Sequence, residues 1–402
     1  MFTPCKGGIT APKGFQAAGI HCGIKKAKKD LSMVYTSTRA SVAAVFTLNK
    51  VQAAPILVNK AQLSKSSYAR AIVVNSGNAN TCTGERGMID AWAMAHSAAC
   101  ALHIPEEEVH VSSTGVIGQY LPIEKITEGI KTIASLLKPE GHADAAEAIM
   151  TTDTFMKECS VKFQIDGKES CIGGMSKGSG MIAPNMATML AFVTTDVAIT
   201  PQLLQQALQE TVDRTFNRIS VDGDTSTNDM VTVLANGEAG NNQLTNVSDA
   251  GYAAFYVALE HVLTELSKMI VLDGEGATKF IEVKVTGATT EQAAVQAARS
   301  ISNSNLVKTA FHGEDANWGR ILCAVGYSGI EFNPADVEIS FGNVPILRRN
   351  YVIDFSEDDA KQVLMKKEIA VTVQLNQGNA EATFWTCDLS KKYVDINANY
   401  RT

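Results

Sequence analysis

The sequence lacks the segments that direct a protein into or across a membrane. No uniformly apolar run is long enough to span a bilayer. The first residues, MFTPCKGGITAPKGF, do not combine a basic start, an apolar core and a small-residue cleavage site. The eight cysteines contain no CxxC pair, which in a chain of 402 residues favours reduced thiols. We therefore expect a soluble protein of the cytoplasm with no membrane partner.

Several kinds of binding site are also absent. The net charge of −7 is spread along the chain, and no basic patch with interleaved aromatics predicts nucleic-acid binding. The seven histidines show no metal-ligand spacing, and we interpret His110 and His312 as hydrogen-bonding residues. The stretch GGMSKGSG does not fit the phosphate-binding pattern GxxxxGK[ST]. The sequence contains none of the local nucleophile-elbow motifs, and a Ser/Cys-His-Asp triad formed by distant residues is an alternative that one sequence does not exclude. We therefore expect small-molecule substrates, and we expect neither a metal nor a cofactor.

What is present is typical of a large folded core. Hydrophobic residues make up 45% of the chain and charged residues 19%, and the length allows roughly two or three structural units. Strand and helix patterns alternate without an internal repeat or a low-complexity linker, which predicts one intimately folded α/β assembly.

The pattern also predicts individual elements. An Asp166-Gly167 turn signal indicates a hairpin, and polar loops are expected at 75–80 and 113–118, after strands. The predicted helices are 88–102, 123–137, 202–218 and 250–268. The predicted strands are 71–74, 109–112, 160–165, 169–173, 189–193, 230–234, 280–285, 337–341, 369–375 and 382–386.

The stretch from Lys177 to Asp196, KGSGMIAPNMATMLAFVTTD, carries the most specific chemical signal. A glycine-rich loop runs into an apolar strand pattern, so Thr188 lies at a loop-to-strand boundary where a backbone can be strained and cut. A threonine hydroxyl needs no histidine if its own α-amine acts as the base. That amine would exist only after cleavage of the Ala187-Thr188 bond, which would leave pieces of 187 and 215 residues.

Four segments combine a flexible backbone with polar side chains: 114–115, 151–154, 177–188 and 272–279. Each has an ordinary interpretation as a turn, a capping aspartate or a helix stop. Lys177 fits a solvated lysine as well as a carboxylate ligand, and both interpretations stay open. Together the segments favour acyl transfer, because that reaction needs a nucleophile, oxyanion donors, a cation for a substrate carboxylate and an anion for a substrate amine.

Eight ordered stretches carry a family resemblance that covers the whole chain. The chain resembles the ornithine acetyltransferases, also called glutamate N-acetyltransferases, of the cyclic arginine pathway. The matching stretches are GITAPKGFQAAGIHCGIK, NSGNANTCTGERG, SSTGVIGQYLP, KGSGMIAPNMATMLAFVTTD, SVDGDTSTND, DGEGATK, DANWGRI and DINANYRT.

The resemblance implies how the protein is built and what it does. It implies the layered α/β, DmpA-like fold of N-terminal-nucleophile type, built jointly by two chains from one precursor. Autoproteolysis would give an α chain (1–187) and a β chain (188–402), the latter including a C-terminal α/β portion from about residue 280. Two of each chain would form a heterotetramer. The enzyme would pass an acetyl group from N2-acetyl-L-ornithine to L-glutamate, and the use of acetyl-CoA as a co-substrate stays open.

The resemblance also assigns roles to single residues. Thr188 would be the nucleophile, and Thr114 and Gly115 the oxyanion-hole pair. The substrate-binding positions would be Thr151, Lys177, Thr188, Glu275, Asn397 and Thr402. Since Thr402 ends the chain, the tail would have to fold back rather than fray.

Two other functions compete with this one. A related self-cleaving aminopeptidase would use the same nucleophile for hydrolysis. A non-catalytic amino-acid-binding protein would keep Thr188 as a structural residue.

Overall fold

The computed structural model describes residues 2–182 and 189–399. They form two compact units. The larger unit contains residues 2–178, 189–217 and 224–270, and the smaller unit contains residues 179–182, 218–223 and 271–399. Each unit combines a β-sheet with helices, so the predicted α/β class is confirmed.

The strands and helices have the following bounds. The strands are β1 (Thr3–Pro4), β2 (Phe15–Ile20), β3 (Leu31–Phe46), β4 (Tyr68–Asn78), β5 (Val109–Val116), β6 (Lys157–Ile165), β7 (Lys168–Lys177), β8 (Leu190–Thr195), β9 (Ile219–Ser220), β10 (Met230–Ala235), β11 (Phe280–Ala288), β12 (Glu338–Phe341), β13 (Val344–Leu347), β14 (Glu368–Gln374) and β15 (Ala380–Cys387). The helices are α1 (Ala54–Lys65), α2 (Gly84–Leu102), α3 (Ile123–Ala134), α4 (His142–Ile149), α5 (Pro201–Arg214), α6 (Tyr252–Leu272), α7 (Glu291–Asn303), α8 (Asn305–His312), α9 (Trp318–Gly326), α10 (Glu357–Leu364) and α11 (Lys391–Ala398).

The sheet of the larger unit has the strand order β1-β6-β7-β8-β10-β3-β4-β5, and β2 pairs with β3. Strands β8 and β10 are parallel neighbours at its centre, and every residue in them is buried. A strand that is covered on both faces has a nearly continuous apolar sequence, and this pattern predicted β8; β10 was predicted as a strand at 230–234. The predicted hairpin is confirmed between β6 and β7, where Asp166 and Gly167 both have positive φ.

Helices cover both faces of this sheet. Val34 and Ile72 belong to a core cluster with α4, whereas their neighbours Met33 and Val73 belong to a second cluster with α2 and α3. Successive strand residues point to opposite faces, so the sheet lies between two helical layers.

The smaller unit has its own sheet and its own core. Its strand order is β13-β12-β14-β11-β15-β9. Residues of α7, α8, α9 and α10 join the inner face of these strands in one apolar cluster. In the described part of the chain, none of the helices has the length and apolar character needed to cross a membrane.

Three predicted loops begin later than the sequence indicates. The polar segments after 74 and 112 continue as strand, because β4 and β5 pair in parallel through Ser76 with Thr114 and Gly77 with Gly115. Lys177 is the last residue of β7 rather than a loop residue, since it pairs with Leu190. Main-chain hydrogen bonds to neighbouring strands outweigh the local turn preference of Gly, Ser and Asn here.

Candidate active site

The end of β5 brings the main chain unusually close to β4. Gly115 has a φ of 133°, and a Cβ atom built on it would lie 2.3 Å from the carbonyl carbon of Gly77. An L side chain rarely adopts this φ, and no room exists for one. The sequence therefore needs glycine at this position to let β4 and β5 meet beside Thr114.

Thr114 and Lys177 lie together in the larger unit. The Lys177 ammonium donates a hydrogen bond of 3.3 Å to the Thr114 hydroxyl, and both residues are 8% exposed. These residues were predicted as an oxyanion donor and a carboxylate ligand, and they are 63 positions apart in the sequence. A hydroxyl and an ammonium in a largely buried setting can donate to a developing oxyanion or to a carboxylate.

Asp153 organises the main chain on either side of this pair. Its carboxylate accepts hydrogen bonds from the backbone N–H groups of Thr151 at 2.8 Å and Gly178 at 2.7 Å. It also accepts one from Lys157 at 2.7 Å, and both partners of this ion pair have fully buried side chains. Asp153 thus fixes Thr151, a predicted substrate-binding residue, and the residue that follows Lys177.

The charge of Asp153 is maintained by its neighbours. Burial alone would raise the pKa of this carboxyl, but the positive charges of Lys177 and Lys157 and the hydrogen bonds from Lys157 and Thr151 hold its pKa well below the usual value. The carboxylate is ionised throughout the physiological range, so it balances one of the lysines around it.

A third lysine lies in the same region. The Lys25 ammonium donates hydrogen bonds to the carbonyl oxygens of Met150 at 2.6 Å and Lys29 at 2.9 Å. Burial, and to a lesser degree the positive charge of Lys177, lower the pKa of Lys25 to about 8. The region therefore carries more positive than negative charge and favours an anionic ligand.

Sequence reasoning missed these supporting residues. The ordinary interpretation of segment 151–154 was that Asp153 caps a helix, but α4 ends at Ile149 and Asp153 lies in the irregular segment before β6. The spacing of Asp153 and Lys157 would indicate an ion pair only on a helix. For Lys25 no local signal points to a site, because its contact next to Thr151, the carbonyl of Met150, is 125 residues away in sequence.

The smaller unit contains two further predicted residues, and they touch each other. Glu275 is buried in the turn that follows α6, and its carboxylate accepts a hydrogen bond of 2.8 Å from the Asn397 amide on α11. Its backbone N–H donates to the carbonyl of Ser179 at 2.9 Å. A Cβ atom on Gly180 would lie 2.4 Å from the Glu275 carboxylate, so a side chain at this position would displace the carboxylate from this segment.

Helix α11 is fastened to the turn that carries Glu275. Ser390 donates a hydrogen bond of 2.6 Å to the carbonyl of Gly276. Tyr393 donates one of 3.2 Å to Asp222, which also accepts the backbone N–H of Met181. The described part of the tail is therefore packed against this turn rather than frayed.

Three predicted residues, Ala187, Thr188 and Thr402, lie outside the described residues. The proposed nucleophile and cleavage bond thus remain predictions from the sequence.

The two histidines near these segments differ. His312 shares a hydrogen bond of 2.8 Å with Asp388, as expected. The expectation is wrong for His110, because within the described residues neither of its buried ring nitrogens has a partner. Burial lowers the pKa of His110 to about 4, so this residue is a neutral part of the core.

Comparison with known proteins gives matches along the whole chain. The model of the ArgJ family matches residues 16–402. An "Arginine biosynthesis bifunctional protein ArgJ" from Symbiobacterium thermophilum is 52% identical over 399 residues, which cover 98% of this chain and 99% of the relative. A protein of the same name from Listeria monocytogenes is 49% identical over 398 residues and covers 99% of both chains.

Two solved structures are also similar. A crystal structure of the protein named ArgJ from Bacillus halodurans is 46% identical, covers 46% of this chain and 98% of its own, and has a TM-score of 0.45. An ornithine acetyltransferase from Mycobacterium tuberculosis, complexed with ornithine, is 37% identical, covers 46% of this chain and all of its own, and has a TM-score of 0.43.

Proposed function

The chain belongs to the ArgJ family, and we propose that it transfers the acetyl group of N2-acetyl-L-ornithine to L-glutamate, giving L-ornithine and N-acetyl-L-glutamate. It is an acyltransferase of arginine biosynthesis. The observation that carries the proposed reaction is the contact of the Lys177 ammonium with the Thr114 hydroxyl beside Gly115. In a family of acetyl transferases, this contact supplies a carboxylate ligand next to oxyanion donors.

The proposed nucleophile is first made by self-cleavage. The Thr188 hydroxyl attacks the carbonyl carbon of Ala187, and the amide nitrogen leaves as an amine with the hydroxyl proton. Water then hydrolyses the resulting ester, which releases the carboxylate of Ala187 and restores the Thr188 hydroxyl beside the α-amine that was freed in the first step. The products are an α chain (1–187) and a β chain (188–402), and we propose that two of each assemble.

Acetyl transfer then proceeds in two half-reactions. The Thr188 hydroxyl attacks the acetyl carbonyl of N-acetylornithine, ornithine leaves as the free amine, and the acetyl group remains as an ester. The amine of glutamate attacks this ester and restores the hydroxyl. In both steps the Thr114 hydroxyl and the Gly115 N–H would stabilise the oxyanion, and removal of one such donor typically costs about 10²–10³ in rate.

Substrate recognition would rest on charge. Lys177 and Thr151 would bind the α-carboxylate that both amino acids share. Glu275, oriented by Asn397, suits the side-chain ammonium of ornithine. Thr402 completes the set that the family pattern implies. The eight free thiols support our proposal that the enzyme works in the reducing cytoplasm.

A second activity is supported by one observation. The relatives are named bifunctional, and acetyl-CoA is the second donor that we propose for the same acetyl-Thr188 intermediate. Glutamate and acetyl-CoA, incubated without N-acetylornithine, should then yield N-acetylglutamate.

The main proposal is tested on the purified protein. With N-acetylornithine and glutamate, we expect equal amounts of ornithine and N-acetylglutamate by mass spectrometry. Free acetate without N-acetylglutamate would instead show a hydrolase.

Self-cleavage is tested by mass spectrometry under denaturing conditions. The wild type should give two pieces, whereas Thr188→Ala should stay one chain of 42.9 kDa and be inactive. Thr188→Ser, which keeps a hydroxyl, should still cleave; an intact but fully active Thr188→Ala variant would refute the nucleophile.

A further inference from the structure

The segment before β3 is folded around one buried carboxylate. Asp30 is fully buried and accepts backbone N–H groups from Cys22 at 2.6 Å, Ile24 at 2.7 Å and Lys25 at 2.8 Å. A carboxylate that holds several consecutive N–H groups fixes the path of the main chain. The position of the Lys25 side chain is therefore set by the fold rather than by a mobile surface loop.

The Lys25 side chain lies against β4, the strand that pairs with the end of β5 where the predicted oxyanion donors lie. Its Cγ atom lies 3.2 Å from where a Cβ atom on Gly77 would be. Gly77 is the strand partner of Gly115. The ammonium at the end of the side chain contacts the carbonyl oxygen of Met150, the residue before Thr151. Lys25 thus lies against the strand partner of Gly115 and against the residue before Thr151, although neither the motif nor the family pattern assigned it a role.

The Lys25 ammonium can donate one more hydrogen bond than it makes to the described residues. Two backbone carbonyls accept from it, whereas an ammonium has three N–H donors. None of the ion pairs in the described parts of the chain involves Lys25. The nearby carboxylate of Asp153 is already paired with Lys157. Asp30 lies near Lys25 and already binds several backbone N–H groups, so the half-buried ammonium, which forms no direct ion pair with a described residue, is suited to an anionic ligand.

The two substrates of the proposed reaction differ in charge at the far end of their side chains. Both carry an α-carboxylate, but ornithine ends in an ammonium and glutamate in a second carboxylate. The second carboxylate of glutamate is therefore suited to a second cation in addition to Lys177, and the larger unit supplies one in Lys25.

We propose that Lys25 binds the side-chain carboxylate of glutamate and so selects the acetyl acceptor. The inference rests on the proposed function and adds a specificity-determining residue to it. It assigns Lys177 to the carboxylate that both substrates share and Lys25 to the carboxylate that only the acceptor has.

The two half-reactions allow a sharp test. Exchange of labelled ornithine into N-acetylornithine needs no glutamate, whereas net transfer does. In Lys25→Met, the KM for glutamate should rise about 10- to 100-fold, the usual range for a lost charge-assisted hydrogen bond. Ornithine exchange should stay within about twofold. Lys25→Arg should restore most of the glutamate affinity, and the exposed Lys26→Met should behave like the wild type.

Acceptor choice and pH provide further readouts. Wild type should prefer glutamate over glutamine, and Lys25→Met should lose this preference.

The pH dependence of the KM for glutamate gives a second test. The charged groups that act on Lys25 are Asp30, Lys177, Lys28 and Asp153. Because Lys25 loses its proton near pH 8, the wild-type KM for glutamate should rise above that pH, and Lys25→Arg should abolish the rise.

The outcomes separate the possibilities. Equal loss of ornithine exchange and glutamate transfer in Lys25→Met, with Lys25→Arg no better, would show a merely structural lysine and overturn the inference. An unchanged KM for glutamate would also overturn it. Absence of ornithine exchange in the wild type would refute the proposed function itself, so the two failures are distinguishable.

Discussion

At the scale of single residues, one carboxylate organises the charged part of the site in the larger unit. Asp153 accepts hydrogen bonds from Lys157 and from two backbone N–H groups, and it lies close to Lys177. A buried ion pair adds little net stability on its own, because desolvation offsets most of the attraction. Its value here is positional, since it fixes Thr151 and the residue after Lys177.

Sequence reasoning reached some of these residues and not others. Thr114, Gly115 and Lys177 stand in motifs whose composition indicates chemistry, and the structure places all three in one region. Asp153 stands in the segment 151–154, where the sequence assigned a role to Thr151 but not to this carboxylate, and no role was assigned to Lys157 or Lys25. Part of their role depends on contacts with distant segments, such as those of Asp153 with Gly178 and of Lys25 with Met150, which a single sequence does not encode locally.

His110 leads to a prediction about acid stability. Its pKa is lowered to about 4 by burial, whereas an unfolded histidine titrates near 6.5. Between these pH values the unfolded chain binds the extra proton, so stability falls as the pH drops from about 6.5 to 4, by up to roughly 3 kcal/mol. In His110→Leu this part of the loss should vanish, as measured by urea unfolding at several pH values.

The control is an exposed histidine. His103→Asn should keep the wild-type dependence on pH, since Asn tolerates the positive φ found there. If stability fell equally between about pH 6.5 and 4 in His110→Leu and in the wild type, His110 would not be the cause of the fall.

At the scale of elements, the long apolar patterns and the turn signal predicted the structure well. Helices α2, α3, α5 and α6, the β6–β7 hairpin and the central strands β8 and β10 lie where the periodicity places them. The ends of β4, β5 and β7 were missed. Their last residues are Ser, Asn, Gly and Lys, which look like a loop until a neighbouring strand pairs with them.

Helix α11 carries a prediction about donor binding. Asn397 donates to Glu275 from the last turn of this helix. Asn397→Ala would leave the Glu275 carboxylate without this orienting bond, so the KM for N-acetylornithine should rise about tenfold, the cost of one hydrogen bond to a charged group. Initial rates at saturating glutamate measure this change.

A matched variant lies on the same helix. Lys391 is exposed, and Lys391→Ala should leave the KM for N-acetylornithine unaltered. If Asn397→Ala and Lys391→Ala gave the same KM, Asn397 would have no part in donor binding.

At the scale of the whole molecule, the proposed cut divides a sheet in an unusual way. Strands β8 and β10 follow residue 188, yet β7 and β3, which flank them, precede it. The second piece therefore supplies the centre of a sheet whose two sides come from the first. All residues of both central strands are buried, so separation would expose a large apolar surface.

We therefore expect the two pieces to stay together after cleavage. Native mass spectrometry and size-exclusion chromatography should show them in equal amounts in one particle, and only denaturant should part them. Independent elution of the pieces in native buffer would contradict the shared sheet.

The same strand order determines when β3 can pair with β10 during synthesis. Val45 of β3 pairs with Val231 of β10, so one edge of β3 stays open while the ribosome makes the intervening chain. At about 5–20 residues per second this takes roughly 10 to 40 s. An unpaired edge is a site for mispairing with other chains. The central strands β8 and β10 are thus the last strands of this sheet to be made, and the open edge of β3 can pair before the chain itself is complete.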